Sequence, residues 1–318
     1  MTRCLVTGAA GFIGSHLCEA LLEAGYPTVG IDCFTDYYDP EHKRANARSA
    51  LGMGLRLVDA DLTRDPLEAL VAEADVVYHL AGQPGVRPSW GASFELYASR
   101  NLLATQRLLE ASAATSVQRF VFASSSSVYG HAADRRVAED EPRRPVSPYG
   151  LTKAACEDLI DVYRRQNGLS AVSLRYFTVY GPRQRPEMAF ASFIARIAAG
   201  RPIMVFGDGC QTRDFTYVSD AVAATIAAAD RGDRPCYNVS GGANASLLEA
   251  LAAIERATAR RAVVEFAPDA RGDARHTRAD LTAATRDLGF RPSVPLELGL
   301  ARQVAAALCD PASLGKVA

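Results

Sequence analysis

The amino-acid sequence predicts an α/β protein with a doubly wound parallel sheet and a smaller C-terminal lobe. Three observations favour this fold class. Short runs rich in β-branched and aromatic residues alternate with helical patterns over the first 180 residues, and this alternation is typical of βαβ units with helices on both faces of a sheet. A glycine-rich turn follows the first predicted strand. After residue 180 the elements become shorter and richer in Pro and Arg, which indicates a second, smaller lobe.

The predicted elements follow in chain order. In the first part we expect strands at the runs RCLVTG, PTVGID, LRLVDADL, DVVYHLAG, RFVFASSS and AVSLRYFTV, with helices near 12–24, 93–114 and 148–167. In the second part we expect a helix near 188–199, a strand near 203–206, a helix near 218–230, the strand CYNVSG, a helix near 246–259, the strand VVEFAP and two C-terminal helices.

Composition argues against several classes of protein. The 318 residues carry a formal net charge of −1, so we expect no broad basic surface for nucleic acid or an anionic membrane. No apolar run approaches the roughly 18 residues that cross a bilayer, and we expect no signal peptide. The seven cysteines lack CxxC spacing. We therefore expect no metal site and no disulfide framework, and a reducing, cytoplasmic location.

A glycine-rich turn joins the first strand to the first helix. TGAAGFIG places Gly8, Gly11 and Gly14 in GxxGxxG spacing. The first glycine permits a tight bend, the second lets the backbone approach a pyrophosphate, and the third lets the helix pack on the strand. The turn therefore predicts a Rossmann-type dinucleotide site, to which Phe12 and Ile13 also contribute.

Two carboxylates follow the next two strands. Asp32 ends the second strand, 18 residues after Gly14, close to the spacing at which an acidic residue binds the adenosine ribose. A carboxylate there repels a 2′-phosphate, which favours NAD over NADP. Asp61, followed by Leu62, comes after the third strand, and it either binds the adenine or caps a helix.

The segment SPYGLTK opens the helix predicted near 148–167. Ser147 suits the N-cap and Pro148 the first helical position. Tyr149 and Lys153 are four residues apart and therefore share a helix face. An ammonium group and a helix N-terminus both favour the phenolate form of a nearby tyrosine. The pair therefore predicts a tyrosine that acts as a base.

Together, the motifs TGAAGFIG, HLAG, FASSSSVYG, SPYGLTK and RYFTVYGP resemble the extended short-chain dehydrogenase/reductase superfamily, in its NAD-dependent nucleotide-sugar epimerase/dehydratase branch. The resemblance extends to RDFTYVSDAV and to residues 271–273, so it covers nearly the whole chain. It implies a Rossmann-type NAD-binding domain at 1–180, which 216–245 partly rejoin, and a lobe at 181–318 that mainly binds a UDP-sugar. It also implies a homodimer that pairs the helices near 93–114 and 148–167.

The resemblance assigns roles to individual residues. Ser125 would hydrogen-bond the sugar 4-hydroxyl, and Tyr149 and Lys153 would form the base system and contact the cofactor. Arg213 and Arg271 would bind the UDP diphosphate through bidentate guanidinium–phosphate contacts. The remaining contacts around the cofactor are expected from Leu80, Ala81, Gly82, Asn101 and Tyr176.

The run of four serines, 124–127, bears on which reaction is possible. In dehydratases of this branch the two positions after the catalytic hydroxyl are typically Asp and Glu, and in decarboxylases the second is usually Glu. Here they are Ser126 and Ser127, whose hydroxyls are poor acids and bases at neutral pH. We therefore expect 4-epimerisation through a 4-keto sugar rather than elimination. For Ser124, a simple polar strand end is the alternative.

The segment RYFTVYGPRQRPEMA bears on the identity of the sugar. Epimerases of uncharged UDP-sugars usually have Asn at the position of Thr178. Thr178 with Arg185, the segment QPGVRPS with Arg87, and DYYDP resemble UDP-glucuronate 4-epimerases instead. A C6 carboxylate needs a cation or several hydroxyl donors, and Ser126, Ser127, Thr178 and Arg185 could supply them. Arg183 is an alternative to Arg185, and Arg87 could instead contact a phosphate.

The sequence thus favours NAD-dependent 4-epimerisation of UDP-glucuronate to UDP-galacturonate. Three alternatives stay open. The first is a 4-epimerase of uncharged UDP-glucose or UDP-N-acetylglucosamine, and the second is a UDP-glucuronate decarboxylase. The third is a non-catalytic, NAD-sensing protein, although such proteins usually lack the Tyr/Lys pair.

Overall fold

The computed structural model describes residues 1–131 and 135–310. Its strands are β1 (Cys4–Thr7), β2 (Thr28–Asp32), β3 (Arg56–Asp59), β4 (Val76–His79), β5 (Arg119–Ser125), β6 (Ala171–Tyr176), β7 (Val179–Tyr180), β8 (Ile203–Phe206), β9 (Thr212–Asp214), β10 (Thr216–Tyr217), β11 (Cys236–Val239), β12 (Asn244–Ser246) and β13 (Val264–Ala267). Its α-helices are α1 (Phe12–Glu23), α2 (Pro40–Gly52), α3 (Glu68–Ala72), α4 (Phe94–Tyr97), α5 (Ala104–Ala113), α6 (Pro148–Asn167), α7 (Ala189–Ala198), α8 (Val218–Asp230), α9 (Leu247–Thr258) and α10 (Leu296–Cys309).

The main sheet has the strand order β11–β6–β5–β4–β1–β2–β3, and every neighbouring pair is parallel. From β1 the chain proceeds through β2 to β3 at one edge, and β4, β5 and β6 then extend the sheet on the other side of β1. The strand order therefore reverses between β1 and β4. In open α/β sheets the ligand crevice lies at the carboxyl ends of the strands at such a point. The predicted fold class is confirmed.

Apolar side chains alternate between the two faces of the sheet. Val6 and Tyr78 belong to one buried cluster, whereas their neighbours Leu5 and Val77 belong to the other. Helices α1 and α8 contact each other over the first face, and α3, α5 and α6 cover the second. Because both faces are covered, the central strands read as continuous apolar runs.

The second lobe is built from small strand pairs and three helices. β8 pairs with β13 in parallel, and β9 pairs with β12 in antiparallel. Helices α7, α9 and α10 pack against one another, and their buried residues Phe190, Ile254 and Leu300 join the same apolar cluster as the first face of the sheet. β11 lies within the segment 216–245 and pairs with β6 of the main sheet. A domain division at residue 180 stays a prediction, because the apolar core is continuous across it.

Two helical regions differ from the sequence prediction. The helix expected near 93–114 is α4 followed by α5, joined by the π-helical turn Ala98–Leu103. The helix α2 was not predicted. The two predicted C-terminal helices correspond to the short π-helix Ala284–Leu288 and to α10. Within residues 1–131 and 135–310, no helix has the length and apolar character needed to cross a membrane.

Candidate active site

Two connected cavities lie at the carboxyl ends of the sheet strands. The inner cavity is bounded by the turn after β1, the ends of β2, β4 and β5, and the start of α6. The outer cavity lies between residues 85–88, α7, β8 and β13. Tyr37 and Arg185 line both, so the two form one cleft. The predicted site residues on the inner wall are Gly8, Gly11, Phe12, Ile13, Gly14, Asp32, Asp61, Leu62, Leu80, Ala81, Gly82, Tyr149, Lys153, Tyr176 and Arg185.

The glycine turn is shaped by close backbone contacts. Gly8 has a φ of +69°, in the left-handed region that favours glycine. A Cβ on Gly14 would lie 2.0 Å from the Gly8 carbonyl oxygen, so only glycine lets α1 start this close to β1. The N-cap residue Gly11 has no side chain to cap the helix, which leaves the first N–H groups for an anion. This cradle fits the pyrophosphate of a dinucleotide.

Asp32 is held at the end of β2 by backbone donors. Its carboxylate accepts hydrogen bonds from the Ala10 and Phe34 amides at 3.1 and 2.9 Å. The ammonium group of Lys43, on α2, lies 3.7 Å from an Asp32 oxygen, and both side chains are buried. Asp32 therefore presents a fixed acceptor to the inner cavity, which suits the ribose hydroxyls of NAD, and Lys43 partly neutralises its charge.

Asp61 caps a turn rather than a helix, because the next helix, α3, begins at Glu68, and its contact with adenine stays a prediction. Its carboxylate lines the inner cavity and also accepts hydrogen bonds from the Thr63 amide and hydroxyl at 2.9 and 2.7 Å. Burial acts to raise the pKa of this carboxyl, but the Thr63 donors outweigh it and the pKa is lowered. Asp61 is therefore an ionised turn cap that faces the cavity.

His79, at the end of β4, is buried behind the wall of the inner cavity. Its ring is fully buried between the Thr7 and Thr105 hydroxyls, at 2.8 and 2.9 Å. Burial lowers its pKa to about 3, so the imidazole is neutral. Thr7 in turn accepts a hydrogen bond from the Ala81 amide at 3.2 Å. His79 is therefore a core residue that fixes the backbone of the cavity wall.

Asn101 lies in the π-helical turn between α4 and α5 and does not line the inner cavity described above. Its carboxamide oxygen accepts from the Gln83 amide at 2.6 Å, and its nitrogen donates to the Gln83 carbonyl and the Thr152 hydroxyl at 3.2 and 3.0 Å. Thr152 lies between Tyr149 and Lys153 in sequence. Asn101 thus joins the cavity wall to the helix α6, and its predicted contact with the cofactor stays a prediction.

Helix α6 carries Tyr149 and Lys153 into the inner cavity. Ser147 caps the helix by accepting a hydrogen bond from the Gly150 amide at 3.1 Å, and Pro148 occupies the first turn, as predicted. The Lys153 ammonium group is buried, donates to the Ala123 carbonyl at 2.9 Å and lies 4.7 Å from the centre of the Phe122 ring. The Tyr149 ring meets the Tyr97 ring edge to face at 6.3 Å. Packing therefore fixes both side chains on the cavity wall.

The four serines at the end of β5 have distinct environments. Ser124 lines the inner cavity and donates to Glu157 at 2.5 Å. The Ser125 hydroxyl accepts from the Ser127 amide at 3.2 Å and contacts the Ser127 hydroxyl at 3.1 Å. Ser125, Ser126 and Ser127 are half-buried and do not belong to the inner wall described above. The described contacts contain no carboxylate donor or acceptor beside Ser125–Ser127.

A buried ion pair lies behind the serines. Arg175 on β6 contacts Glu157 on α6 at 2.7 Å, and the side chains are only 5% and 7% exposed. Arg175 also donates to the Tyr129 hydroxyl at 2.7 Å, which donates to Asn238 at 2.7 Å. Burial alone would lower the pKa of Arg175, but Glu157 more than reverses this and the pKa is raised. The pair joins β5, β6, β11 and α6 at the level of the active site.

The structure separates the two candidate arginines after β7. Arg183, with a φ of +65°, donates to Ser15 and Glu19 on α1 at 3.3 and 2.8 Å. Arg185 instead lines both cavities and donates to Glu187 at 2.7 Å. Thr178 is half-buried between β6 and β7. Arg185 is therefore the arginine that faces the cleft next to Tyr149.

Of the arginines considered for phosphate binding, Arg87 lines the outer cavity. It pairs with Asp273 at 2.6 Å and lies over the Phe206 ring at 4.0 Å. Arg271 lies over the Trp90 ring at 3.7 Å. Arg213 donates to the backbone carbonyls of Thr212 and Arg275, and burial lowers its pKa. Neither Arg213 nor Arg271 belongs to the wall of the outer cavity as the structure describes it.

Several cleft residues escaped the sequence analysis. Asp39 caps α2 and Pro40 starts it, a helix-start signal that would have placed Lys43 on a helix after Asp32. The other additional residues on the inner wall include Thr35, Tyr37, Tyr38, Gln83 and Arg100. Among the described residues, no group of three or more His, Cys, Asp and Glu side chains is arranged to hold a metal ion.

Comparisons with known proteins agree with this geometry. The model of the NAD dependent epimerase/dehydratase family matches residues 4–240. The chain is 42% identical to the uncharacterized UDP-glucose epimerase YtcB of Bacillus subtilis, over 95% of this chain and 97% of that protein. It is 35% identical to the probable UDP-glucuronate 4-epimerase of Rhizobium meliloti, over 95% and 96% of the two chains.

A solved structure matches the whole fold. The UDP-glucuronic acid 4-epimerase of Bacillus cereus, in complex with UDP-glucuronic acid and NAD, superposes with a TM-score of 0.93 at 40% identity. The match covers 97% of this chain and 99% of the other. The family model and these relatives show that the chain belongs to the NAD dependent epimerase/dehydratase family.

Proposed function

We propose that the protein is an NAD-dependent 4-epimerase that interconverts UDP-glucuronate and UDP-galacturonate. The observation that carries the proposal is the position of Arg185, which lines the same cavity as Tyr149 and Lys153 and also faces the outer cavity. A guanidinium group there suits a C6 carboxylate. Relatives named as UDP-glucuronate 4-epimerases, and the solved structure with UDP-glucuronic acid and NAD, support the choice.

In the proposed reaction, Tyr149 removes the proton of the sugar 4-hydroxyl, which Ser125 also contacts. Bound NAD supplies the acceptor and later the donor of the hydride at C4. Lys153 stabilises the tyrosinate by its positive charge. Because Lys153 is held by the Ala123 carbonyl and packed on Phe122, its charge stays in place through the reaction. Asp32 would bind the adenosine ribose of the cofactor, and the turn at Gly8–Gly14 would bind its pyrophosphate.

The serines explain why the 4-keto sugar would keep its carbon skeleton. Loss of the C6 carboxylate from a β-keto acid needs the breaking bond aligned with the carbonyl π-system. Hydroxyl donors from Ser126, Ser127 and Thr178, together with Arg185, would hold the carboxylate away from that alignment. Elimination of a neighbouring group would need an acid–base pair, and serine hydroxyls do not supply one at neutral pH.

A 4-epimerase of uncharged UDP-sugars is the second candidate. It is favoured by the name of the Bacillus subtilis relative, a UDP-glucose epimerase at 42% identity. It is also compatible with the contact between Arg185 and Glu187, because a guanidinium already paired with a carboxylate does not require a charged substrate. The two candidates differ in whether Arg185 contributes to turnover.

The test compares two neighbouring arginines. Arg185→Ala should lower kcat/KM for UDP-glucuronate by about 10–100-fold, since a hydrogen bond to a charged group contributes about 1.5–3 kcal/mol. Turnover of UDP-glucose should change by less than about threefold. Arg183→Ala is the matched control, because Arg183 contacts Ser15 and Glu19 on α1, and it should affect both substrates equally. Unchanged turnover of UDP-glucuronate by Arg185→Ala would refute the assignment.

We also propose that the protein is a cytoplasmic homodimer. The helices expected to pair carry exposed apolar side chains, with Leu103 on the π-helical turn 45% exposed and Leu151 and Val162 on α6 54% and 43% exposed. Burial of such side chains against a second copy would stabilise the dimer. The cysteines at all seven positions are free thiols, which suits a reducing compartment. Sedimentation equilibrium should give twice the chain mass, and a monomer would contradict the proposal.

A further inference from the structure

Arg185 has an acidic neighbour that the proposed reaction does not use. The two lie in the loop between β7 and α7, where the Met188 amide donates to the Arg185 carbonyl at 3.0 Å. This tight turn brings the Glu187 carboxylate to 2.7 Å from Arg185 Nε. The Arg185 side chain is 22% exposed and that of Glu187 is 40% exposed. The contact therefore lies at the boundary between the cleft and solvent.

The contact changes the charge that a ligand meets. It uses Nε of Arg185, and no hydrogen-bond partner of the two terminal nitrogens is described within residues 1–131 and 135–310. Burial acts to lower the pKa of Arg185, but Glu187 outweighs it and the pKa is raised. The guanidinium therefore stays charged and can still bind an anion. However, a second carboxylate would approach a pair that is neutral overall, and it would be repelled by Glu187.

We infer that Glu187 competes with the C6 carboxylate of the substrate for Arg185 and so sets how strongly the enzyme binds uronates relative to uncharged UDP-sugars. This inference rests on the proposed function, because it takes Arg185 as the carboxylate-binding residue. Glu187 lines the outer cavity beside Arg185. It can thus keep Arg185 paired whenever no substrate carboxylate is present.

The competition has a consequence for turnover. In 4-epimerisation the 4-keto ring must turn over between the two half-reactions, so its carboxylate has to leave Arg185. Because Glu187 already contacts Nε of Arg185, its charge partly neutralises the guanidinium when the sugar carboxylate leaves, which lowers the cost of this step. It also weakens the binding of both epimers to the same degree, because both carry the carboxylate. UDP-glucose lacks that group, so its affinity does not depend on Glu187.

The experiment measures binding without turnover. NAD-loaded protein with Tyr149→Phe is titrated by calorimetry with UDP-glucuronate and with UDP-glucose, alone and combined with Glu187→Gln. Glu265→Gln is the matched control, because Glu265 lines the outer cavity and its replacement removes one negative charge from the cleft on a different element, β13. Arg185→Ala in the same background tests the underlying carboxylate contact.

Glu187→Gln should tighten UDP-glucuronate binding by about 3–10-fold and change UDP-glucose binding by less than about twofold. Glu265→Gln should change the two affinities by the same factor. Weaker or unchanged UDP-glucuronate binding in Glu187→Gln would overturn the inference, as would equal tightening for both nucleotides. If Arg185→Ala selectively weakens UDP-glucuronate binding in that case, the proposed function stands and only the role of Glu187 fails. If Arg185→Ala is not selective, both fail.

Discussion

Replacement of Arg175 by methionine would leave Glu157 as a buried charge without its main partner. In the native protein the two side chains are 5% and 7% exposed and share three hydrogen bonds of 3.0, 3.2 and 2.7 Å. Breaking one partner of such a pair costs about 3–5 kcal/mol, because the remaining charge is desolvated. Domains are stable by about 5–15 kcal/mol in total, so Arg175→Met should lose a large part of the free energy of unfolding.

The assay is urea unfolding followed by far-UV circular dichroism, with the midpoint compared at constant slope. Arg256→Met is the matched control, because Arg256 pairs with Glu297 on the surface and the two side chains are 62% and 75% exposed. Exposed pairs contribute about 0–1 kcal/mol. If Arg175→Met lowers the free energy of unfolding no more than Arg256→Met does, the buried pair of Arg175 and Glu157 does not stabilise the fold as we expect.

Three further changes follow from the described geometry. Gly14→Ala should abolish co-purification of NAD, because its Cβ would lie 2.0 Å from the Gly8 carbonyl oxygen, whereas Gly52→Ala has open space and should retain NAD; normal NAD content in Gly14→Ala would contradict this account of the turn. Lys43→Met should increase the preference for NAD over NADP, measured by the two dissociation constants, because it removes the cation 3.7 Å from Asp32; tighter NADP binding would argue against it. His79 has a folded pKa lowered from 6.5 to about 3, so its contribution to stability is complete above pH 6.5 and falls by up to about 1.4 kcal/mol per pH unit below it. Urea unfolding at pH 6.5 and 5 should therefore show a smaller pH-dependent loss for His79→Gln, and identical losses would refute the assignment.

The fold could be predicted because its signals are local and repeated. Each sheet strand is a short apolar run, and Gly8, Gly11 and Gly14 stand where a nucleotide turn needs them. Ser147 at the N-cap and Pro148 in the first turn indicate the start of α6. By contrast, α2 was missed because its sequence, PEHKRANARSALG, is polar with few apolar positions. Its position was indicated only by the cap at Asp39 and Pro40.

The sequence indicated which residues belong to the site, but it did not indicate which partners each side chain contacts. The sequence could not distinguish Arg183 from Arg185, because their directions depend on a left-handed backbone at Arg183 and on partners from α1. It also could not show that the Asn101 carboxamide hydrogen-bonds to Gln83 and Thr152, because these contacts join elements that are distant in sequence. The pairing of Arg271 with the Trp90 ring is of the same kind. The roles of the predicted site residues, Ser125, Thr178 and Arg213 among them, stay predictions.

Proton NMR of UDP-glucuronate incubated with the purified protein and no added reductant tests the proposed epimerisation. We expect that UDP-galacturonate signals grow to an equilibrium mixture, that no CO₂ is lost, and that Tyr149→Phe abolishes the change. Formation of UDP-xylose or its 4-keto precursor would show that Ser126 and Ser127 do not protect the carboxylate. An unchanged UDP-glucuronate spectrum, together with epimerisation of UDP-glucose under the same conditions, would contradict the proposed substrate.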